Sequence, residues 1–439
     1  MNGTLGFFDA PRRIAYVCAD PGIPVFGCKG ASIHVQEVVR SLLSAGHHVT
    51  LFANRFGGPA PDDLGRLRVV ALPAPKADAA ASGTDPAGGR ADDARVHAAE
   101  SRARAALDGN AALHEALASC GPFDLVYERY SLWSHAAMRW AREAGVPGLL
   151  EVNAPLIDEQ RACRGLVLPE RAGLVAQLVF GAASALIAVS AGVADYLAGF
   201  DPGRGRIHVV GNGVNPQRFR AVRPAWDVLR DPRPPVVGFL GTLKPWHGVE
   251  TLIDAFALLR RSAGAAQLSI VGDGPLRADL GARIGRLGLC GHTRFSGALA
   301  PERVPLALAE MDIGVAPYPA RDDFYFSPLK IVEYMAAGLP VVTTRVGPLA
   351  DMVRHGVEGL LVAPDDPRAL ADALAVLLAD PLRRRRMGEA GQRRIVRECS
   401  WDSIVERLLA IAAAARIDTV HGEHPRRATN PFRVEADAC

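Results

Sequence analysis

Between Arg13 and Val362, short apolar runs of strand character alternate with helical patterns, and the series runs through twice. This constrains the fold more than any other feature. Strands separated by helical crossovers lie parallel in one sheet, with helices covering both faces. The first series comprises Arg13–Cys18, His48–Ala53, Asp124–Tyr127, Gly148–Val152, Leu186–Val189 and Ile207–Val210, with a helix over about 32–45. The second opens at Pro235–Leu240 and Gln267–Val271, with a helix over about 249–262 between them. A polar, proline-rich segment, 217–234, separates the two. At 439 residues the chain is too long for one compact core. The expectation is therefore α/β, with two doubly wound parallel-sheet domains, 1–216 and 235–400, facing across a cleft. A helix over 401–417 follows, then a polar tail, 418–439, expected to be disordered. Residues 73–97, rich in Ala, Gly, Asp and Pro, read as a mobile insertion.

A net charge of +3 with 49% hydrophobic residues excludes a dedicated nucleic-acid binder. The seven cysteines include no Cys-x-x-Cys pair, so neither a zinc site nor a disulfide framework is indicated. The chain shows no basic segment followed by an apolar run at its start, and a cytoplasmic protein is expected. Residues 172–194 carry no formal charge, but they break into helix, strand and helix and so read as soluble structure. The run Arg383–Arg386 reads first as a solvated helix face, with peripheral membrane contact as the lesser reading.

The stretch 327–338 carries the chemistry. Ser327 is a suitable N-cap and Pro328 suits a first helical position, with Leu329 next. A helix start leaves free N–H groups and a partial positive charge, which together make an anion site. Lys330 adds a cation within the first turn, against the dipole. A phosphate explains that placement, whereas a purely structural role must tolerate it. Glu333, one turn on, has the acceptor oxygens to hold a vicinal diol such as ribose. Without a ligand the same two residues are an ordinary surface pair at i, i+3. Two further strand-to-helix turns lead to the same sheet edge. One carries Gly241, Thr242, Lys244 and His247, and the other Gly272, Asp273 and Gly274. In the first series Gly30 and Ala31 follow a glycine-rich loop, while Arg129 and Asn153 stand just past buried strands.

The second half resembles the family 4 glycosyltransferases of GT-B fold. The resemblance rests on VVGNGVNPQRF (209–219), GTLKPWHGVETLIDAF (241–256), VGDGPLR (271–277), FSGALAPERVP (295–305), MDIGVAPY (311–318), SPLKIVEYMAAGLPVVTT (327–344) and VGPLADMVRHGVEGLLVAPDDPRALADAL (346–374). It covers about residues 12–415, more loosely in the first half. It implies two Rossmann-like domains, a retaining, metal-independent transfer and a nucleoside diphosphate sugar as co-substrate. The acceptor would be a carbohydrate, a lipid or a small molecule, with no nucleic-acid partner and no cofactor. The resemblance implies that Lys330, Glu333, Lys244 and His247 act on the diphosphate and ribose. Gly241, Thr242, Gly272, Asp273, Gly274, Gly297, Ala298, Leu299, Tyr325, Ser327, Pro328 and Leu329 would line the donor. Gly30, Ala31, Arg129 and Asn153 would stand on the acceptor side. It further implies that Trp401 opens a helix crossing back to the first domain.

Two departures stand out. The family's Glu-x7-Glu pattern would end at Glu333, but its first position is Tyr325, with Asp322 and Asp323 as candidate substitutes. The family's Arg and Lys on the diphosphate align with Thr242 and His247, with Lys244 and Lys330 as candidate replacements. These motivate two other readings, a non-catalytic nucleotide-sugar-binding partner of another transferase and a nucleotide-sugar epimerase. A nicotinamide dehydrogenase is disfavoured, because the stretch Gly27-Cys28-Lys29-Gly30 lacks Gly-x-Gly-x-x-Gly spacing.

Overall fold

The computed structural model of the chain describes residues 7–73, 90–163, 165–200, 203, 205–220, 233–263, 265–321, 324–325 and 328–421. Seven strands build the first sheet: β1 (Arg13–Cys18), β2 (His48–Ala53), β3 (Arg68–Ala71), β4 (Leu125–Arg129), β5 (Gly148–Val152), β6 (Ala185–Ala188) and β7 (Ile207–Val209). Their order is β3-β2-β1-β4-β5-β6-β7, and every pairing is parallel. Six strands build the second: β8 (Val236–Leu240), β9 (Gln267–Val271), β10 (Thr293–Gly297), β11 (Ile313–Ala316), β12 (Val341–Thr344) and β13 (Gly359–Val362). Their order is β10-β9-β8-β11-β12-β13, again all parallel.

In each sheet the chain moves outward one way from the first strand and then returns to its other side. β1 lies between β2 and β4, and β8 between β9 and β11. This reversal opens a crevice beyond the carboxyl ends of the strands, where ligands of such sheets bind. The loops leaving β1 and β8 are the glycine-rich stretches singled out above. Successive side chains of a strand point to opposite faces. Ala15 and Val17 accordingly join one core layer of the first domain while Ile14 and Tyr16 join the other.

Several boundaries differ from the sequence reading. Of the insertion read as mobile, 74–89 lie outside the described residues, but a helix already runs from Arg90 to Cys120. β3 was not anticipated at all. As an edge strand it is largely exposed, although Val69-Val70-Ala71-Leu72 is an apolar run in the sequence. The helix after the first loop starts at Gly30, two residues early, which makes Gly30 and Ala31 its first turn. The last helix, Trp401–His421, continues past 417. The expected tail beyond it and residues 221–232 of the linker lie outside the described residues. The uncharged stretch 172–194 is divided among the helix Pro169–Ala182, β6 and the helix Ala191–Ala198. Among the described residues no helix is long and apolar enough to cross a membrane.

The helix Trp401–His421 buries Trp401, Ile404, Val405 and Leu408 in the core of the first domain. Ser41 Oγ donates to Asp402 Oδ1 at 2.6 Å. The chain thus crosses between the domains twice, and the two crossings pair. Val214 N–H donates to Cys399 O at 2.9 Å, and Trp401 N–H to Val214 O at 3.1 Å. Of the four arginines 383–386, Arg384 is buried and donates to the carbonyls of Leu377 and Leu378, and Arg385 pairs with Glu389.

Candidate functional site

The helix bearing Lys330 runs over Leu329–Ala336, and Pro328 occupies the N-cap with no side-chain cap. This corrects the expected start, which had Pro328 inside the helix. Ser327, Asp322 and Asp323 lie outside the described residues. The apolar face of the helix drives its placement: Ile331, Val332 and Met335 are buried among Leu308, Met311 and Val341. Tyr334 pins the helix to the sheet. Its hydroxyl accepts from Leu240 N–H at 2.7 Å and donates to Val315 O at 3.1 Å.

That anchoring carries Lys330 into the second domain. The residue is 7% exposed, and its ammonium has no hydrogen-bond partner among the described residues. It stands 4.3 Å from the ring centroid of Phe239 and 5.0 Å from that of Tyr318. The two rings offer cation–π attraction, which does not replace lost hydration. Burial pushes the Lys330 pKa down to about 7, with Glu333 opposing the shift. Glu333 is half-buried, and burial raises its pKa to about 7 against the pull of Arg218 first and Lys330 second. Arg218 is a residue the sequence reading missed. It arrives from the first crossing segment, where it donates to Pro301 O. The aromatic walls were missed as well, since Phe239 reads only as a strand core position.

The glycine turns close the floor. Gly241 has φ +143°, and a Cβ there would stand 2.9 Å from Lys330 Nζ. Gly272 has φ +134°, and a Cβ would stand 1.8 Å from Gly241 O. The backbone of one turn therefore lies directly on the other. Gly272 N–H also donates to Gly297 O at 2.8 Å, which ties the β10 end to the same layer. Asp273 serves this structure: its carboxylate accepts from Gly274 N–H at 2.7 Å and its carbonyl from Leu243 N–H at 3.0 Å. Gly272→Ala is expected to cost at least about 1–3 kcal/mol through strain at a left-handed position. A lowered urea midpoint would show it, and an unchanged midpoint would mean the turn relaxes freely.

His247 and Lys244 act differently from one another. His247 Nδ1 stands 2.5 Å from Thr242 O, and a carbonyl only accepts, so Nδ1 carries the proton. Nε2 of the neutral ring is then an acceptor. Burial, with Lys330 adding to it, lowers the His247 pKa to about 4. As a neutral ring His247 does not donate to phosphate through Nε2. Lys244 is half-buried, with its ammonium 5.3 Å from the ring centroid of Trp246. Thr242 and Ala298 are exposed, and Leu299 is half-buried against the same core layer as the Lys330 helix.

From the other domain, Gly30 opens the helix Gly30–Ser44, whose N-cap Lys29 makes no side-chain cap bond. A Cβ on Gly30 would stand 3.7 Å from Leu329 Cδ1. Two helix N-termini thus meet across the cleft, and both bring free N–H groups and partial positive charge to one place. Arg129 and Asn153 gather at a carboxylate of the first domain. Arg129 Nη1 stands 3.9 Å from Glu151 Oε2, and Asn153 sits beside the same carboxylate. Glu151 is buried, with Oε1 2.7 Å from His34 Nε2. The first-domain polar residues are therefore drawn to a buried carboxylate that the sequence reading passed over as a strand residue. Tyr325 also turns away from the second domain and packs against the core of the first. Among the described residues no group of three His, Cys, Asp or Glu side chains gathers to hold a metal.

Comparisons with known proteins follow the same division. Residues 29–218 match the model described as Glycosyltransferase Family 4, and residues 234–380 match that described as Glycosyl transferases group 1. The D-inositol 3-phosphate glycosyltransferase of Corynebacterium urealyticum is 32% identical over 311 residues, 66% of this chain and 71% of that protein. The GDP-mannose-dependent alpha-(1-6)-phosphatidylinositol monomannoside mannosyltransferase of Mycobacterium tuberculosis is 33% identical over 204 residues. That match covers 45% of this chain and about half, 53%, of the mannosyltransferase. Among solved structures, sucrose-phosphate synthase from Thermosynechococcus elongatus superposes with a TM-score of 0.63 at 23% identity, over 90% of this chain and 97% of that one.

Proposed function

Since the chain belongs to the family 4 glycosyltransferases of GT-B fold, we propose that it transfers a sugar from a nucleoside diphosphate sugar to an acceptor hydroxyl with retention of configuration. The observation that carries this is Lys330, a buried ammonium without a hydrogen-bond partner among the described residues, placed in the first turn of its helix. An unpaired buried charge is costly, and a diphosphate between the two helix N-termini would compensate it. Glu333 would take the ribose diol.

In this reading the protein supplies no nucleophile. The leaving diphosphate takes the acceptor's proton on the face it departs from, and Lys330 with the helix amides stabilises the negative charge that develops there. His247, held by Thr242, orients the turn that carries Gly241. No metal takes part in this scheme. The acceptor is a hydroxyl of a carbohydrate, lipid or small molecule. Inositol compounds are the first to test, because two of the relatives carry them in their names.

The test is a melting panel with UDP, GDP, ADP and TDP and their sugars, with and without magnesium. A ligand that binds only the folded state raises the melting temperature by mass action, about 2.7 kcal/mol at a hundred times its Kd. One diphosphate series is expected to stabilise equally with and without magnesium. If none stabilises, the donor site is absent. If a nucleotide sugar stabilises but is neither transferred nor slowly hydrolysed, the chain is a binding partner of another transferase.

A further inference from the structure

Ser190 is a helix cap: its hydroxyl oxygen accepts from Val193 N–H at 3.3 Å, at the start of the helix Ala191–Ala198. The same hydroxyl donates to the carbonyl of Tyr325, in the other domain, at 2.6 Å. The contact extends on both sides. A Cβ on Gly192 would stand 3.3 Å from Tyr325 Cα and 3.5 Å from Phe324 O, so the absent side chain lets the two backbones approach. The Tyr325 hydroxyl reaches Glu159 Oε2, in the helix Leu156–Cys163 of the first domain, at 3.4 Å. The Tyr325 ring packs against the first-domain core.

The segment so gripped adjoins the donor cradle. The Phe324 ring stands edge-on to Tyr318 at 5.0 Å between centroids, and the Tyr318 ring stands 5.0 Å from the Lys330 ammonium. The helix of Lys330 begins four residues after Tyr325. The contacts that begin at Ser190 thus continue through Phe324 and Tyr318 to the cation of the site.

We propose that Ser190 is a positioning residue for the transfer, its hydroxyl clasping the two domains at the separation at which the Lys330 helix faces the acceptor. This rests on the reading above. Transfer needs the sugar of the donor and the hydroxyl of the acceptor aligned within a fraction of an ångström, while the diphosphate needs mainly the cradle of the second domain. Loss of the clasp should therefore cost turnover and leave diphosphate affinity in place.

The cap and the clasp separate chemically. Ser190→Asp keeps an oxygen to accept from Val193 N–H, but it offers the Tyr325 carbonyl no proton. Ser190→Thr keeps both bonds and Ser190→Ala neither. Each full-length variant is measured by small-angle scattering, by titration with UDP and GDP, and by hydrolysis of the corresponding sugar donors. The Asp and Ala variants are expected to show a larger radius of gyration, unchanged diphosphate affinity and turnover lower by about ten- to a hundredfold. The Thr variant should behave as the parent. A Ser190→Asp protein with the parent's radius and turnover overturns the proposal. If the parent binds neither these two nor ADP or TDP, the donor reading fails instead, and the scattering still decides the clasp.

Discussion

Lys330→Met is expected to lower turnover by about one to three decades, the scale of a lost group that stabilises developing negative charge. Methionine keeps most of the stem that packs on Phe239 and Tyr318 and removes only the charge. The ligand-free protein should therefore be as stable as the parent or more so, because the unpaired ammonium is a burden until a phosphate arrives. Lost activity with retained stability separates this from a folding defect. Unchanged turnover would remove Lys330 from the mechanism. The pH dependence is a second check. The folded-state pKa is about 7 against an ordinary 10.5, so the unfolded chain holds the extra proton between those values. Stability of the parent then rises with pH across that window, and the Met variant lacks this rise. Glu333 acts in a separate window and with opposite sign. Its pKa is raised from 4.5 to about 7, so its contribution is full below 4.5 and is lost as the pH climbs to 7.

Glu151→Ala should be the most damaging substitution to the fold, at about 3–5 kcal/mol, the cost of removing one partner from a buried ion pair. Burial alone would raise the Glu151 pKa, but His34 and then Arg129 outweigh it and hold the carboxylate below its ordinary range. Its contribution is accordingly present above pH 4.5 and lost as the pH falls through the lowered value. Urea unfolding at neutral pH measures the cost, and a change under about 1 kcal/mol would mean that the cluster repacks. His34 lies on the helix that opens at Gly30, so this carboxylate also fixes the first-domain face of the cleft. Turnover should fall with stability.

Much of this was legible from local pattern. The buried strands are short apolar runs, and alternation with helices sufficed to give two parallel sheets. Gly241 and Gly272 stood out because glycine turns recur at the same end of successive strands, and Lys330 because a cation sits where a helix favours acids. What stayed hidden lies at the sheet edge, in a compositionally biased stretch, or in long-range contacts. β3 is an exposed edge strand, and the helix Arg90–Cys120 begins inside an Ala- and Gly-rich stretch. Ser327-Pro328 is a good start signal, yet the extended Pro328 delays the helix to Leu329. Phe239, Tyr318, Arg218 and Ser190 acquire their partners from positions far along the chain, and no spacing rule reaches them. Arg129 and Asn153 were placed by strand ends alone, and the pull of Glu151 could not be read there.

The paired crossings at Val214 and at Cys399–Trp401 bear on how the molecule can move. A single thread between two bodies lets them swivel in any direction. Two threads bonded side by side form a strap, which bends about one line and resists twist. Any relative motion of the domains would be channelled toward bending at this strap. The second thread is also a piece of the first-domain core, through Trp401, Ile404, Val405 and Leu408, so the strap cannot slacken without loosening the body it is tied to.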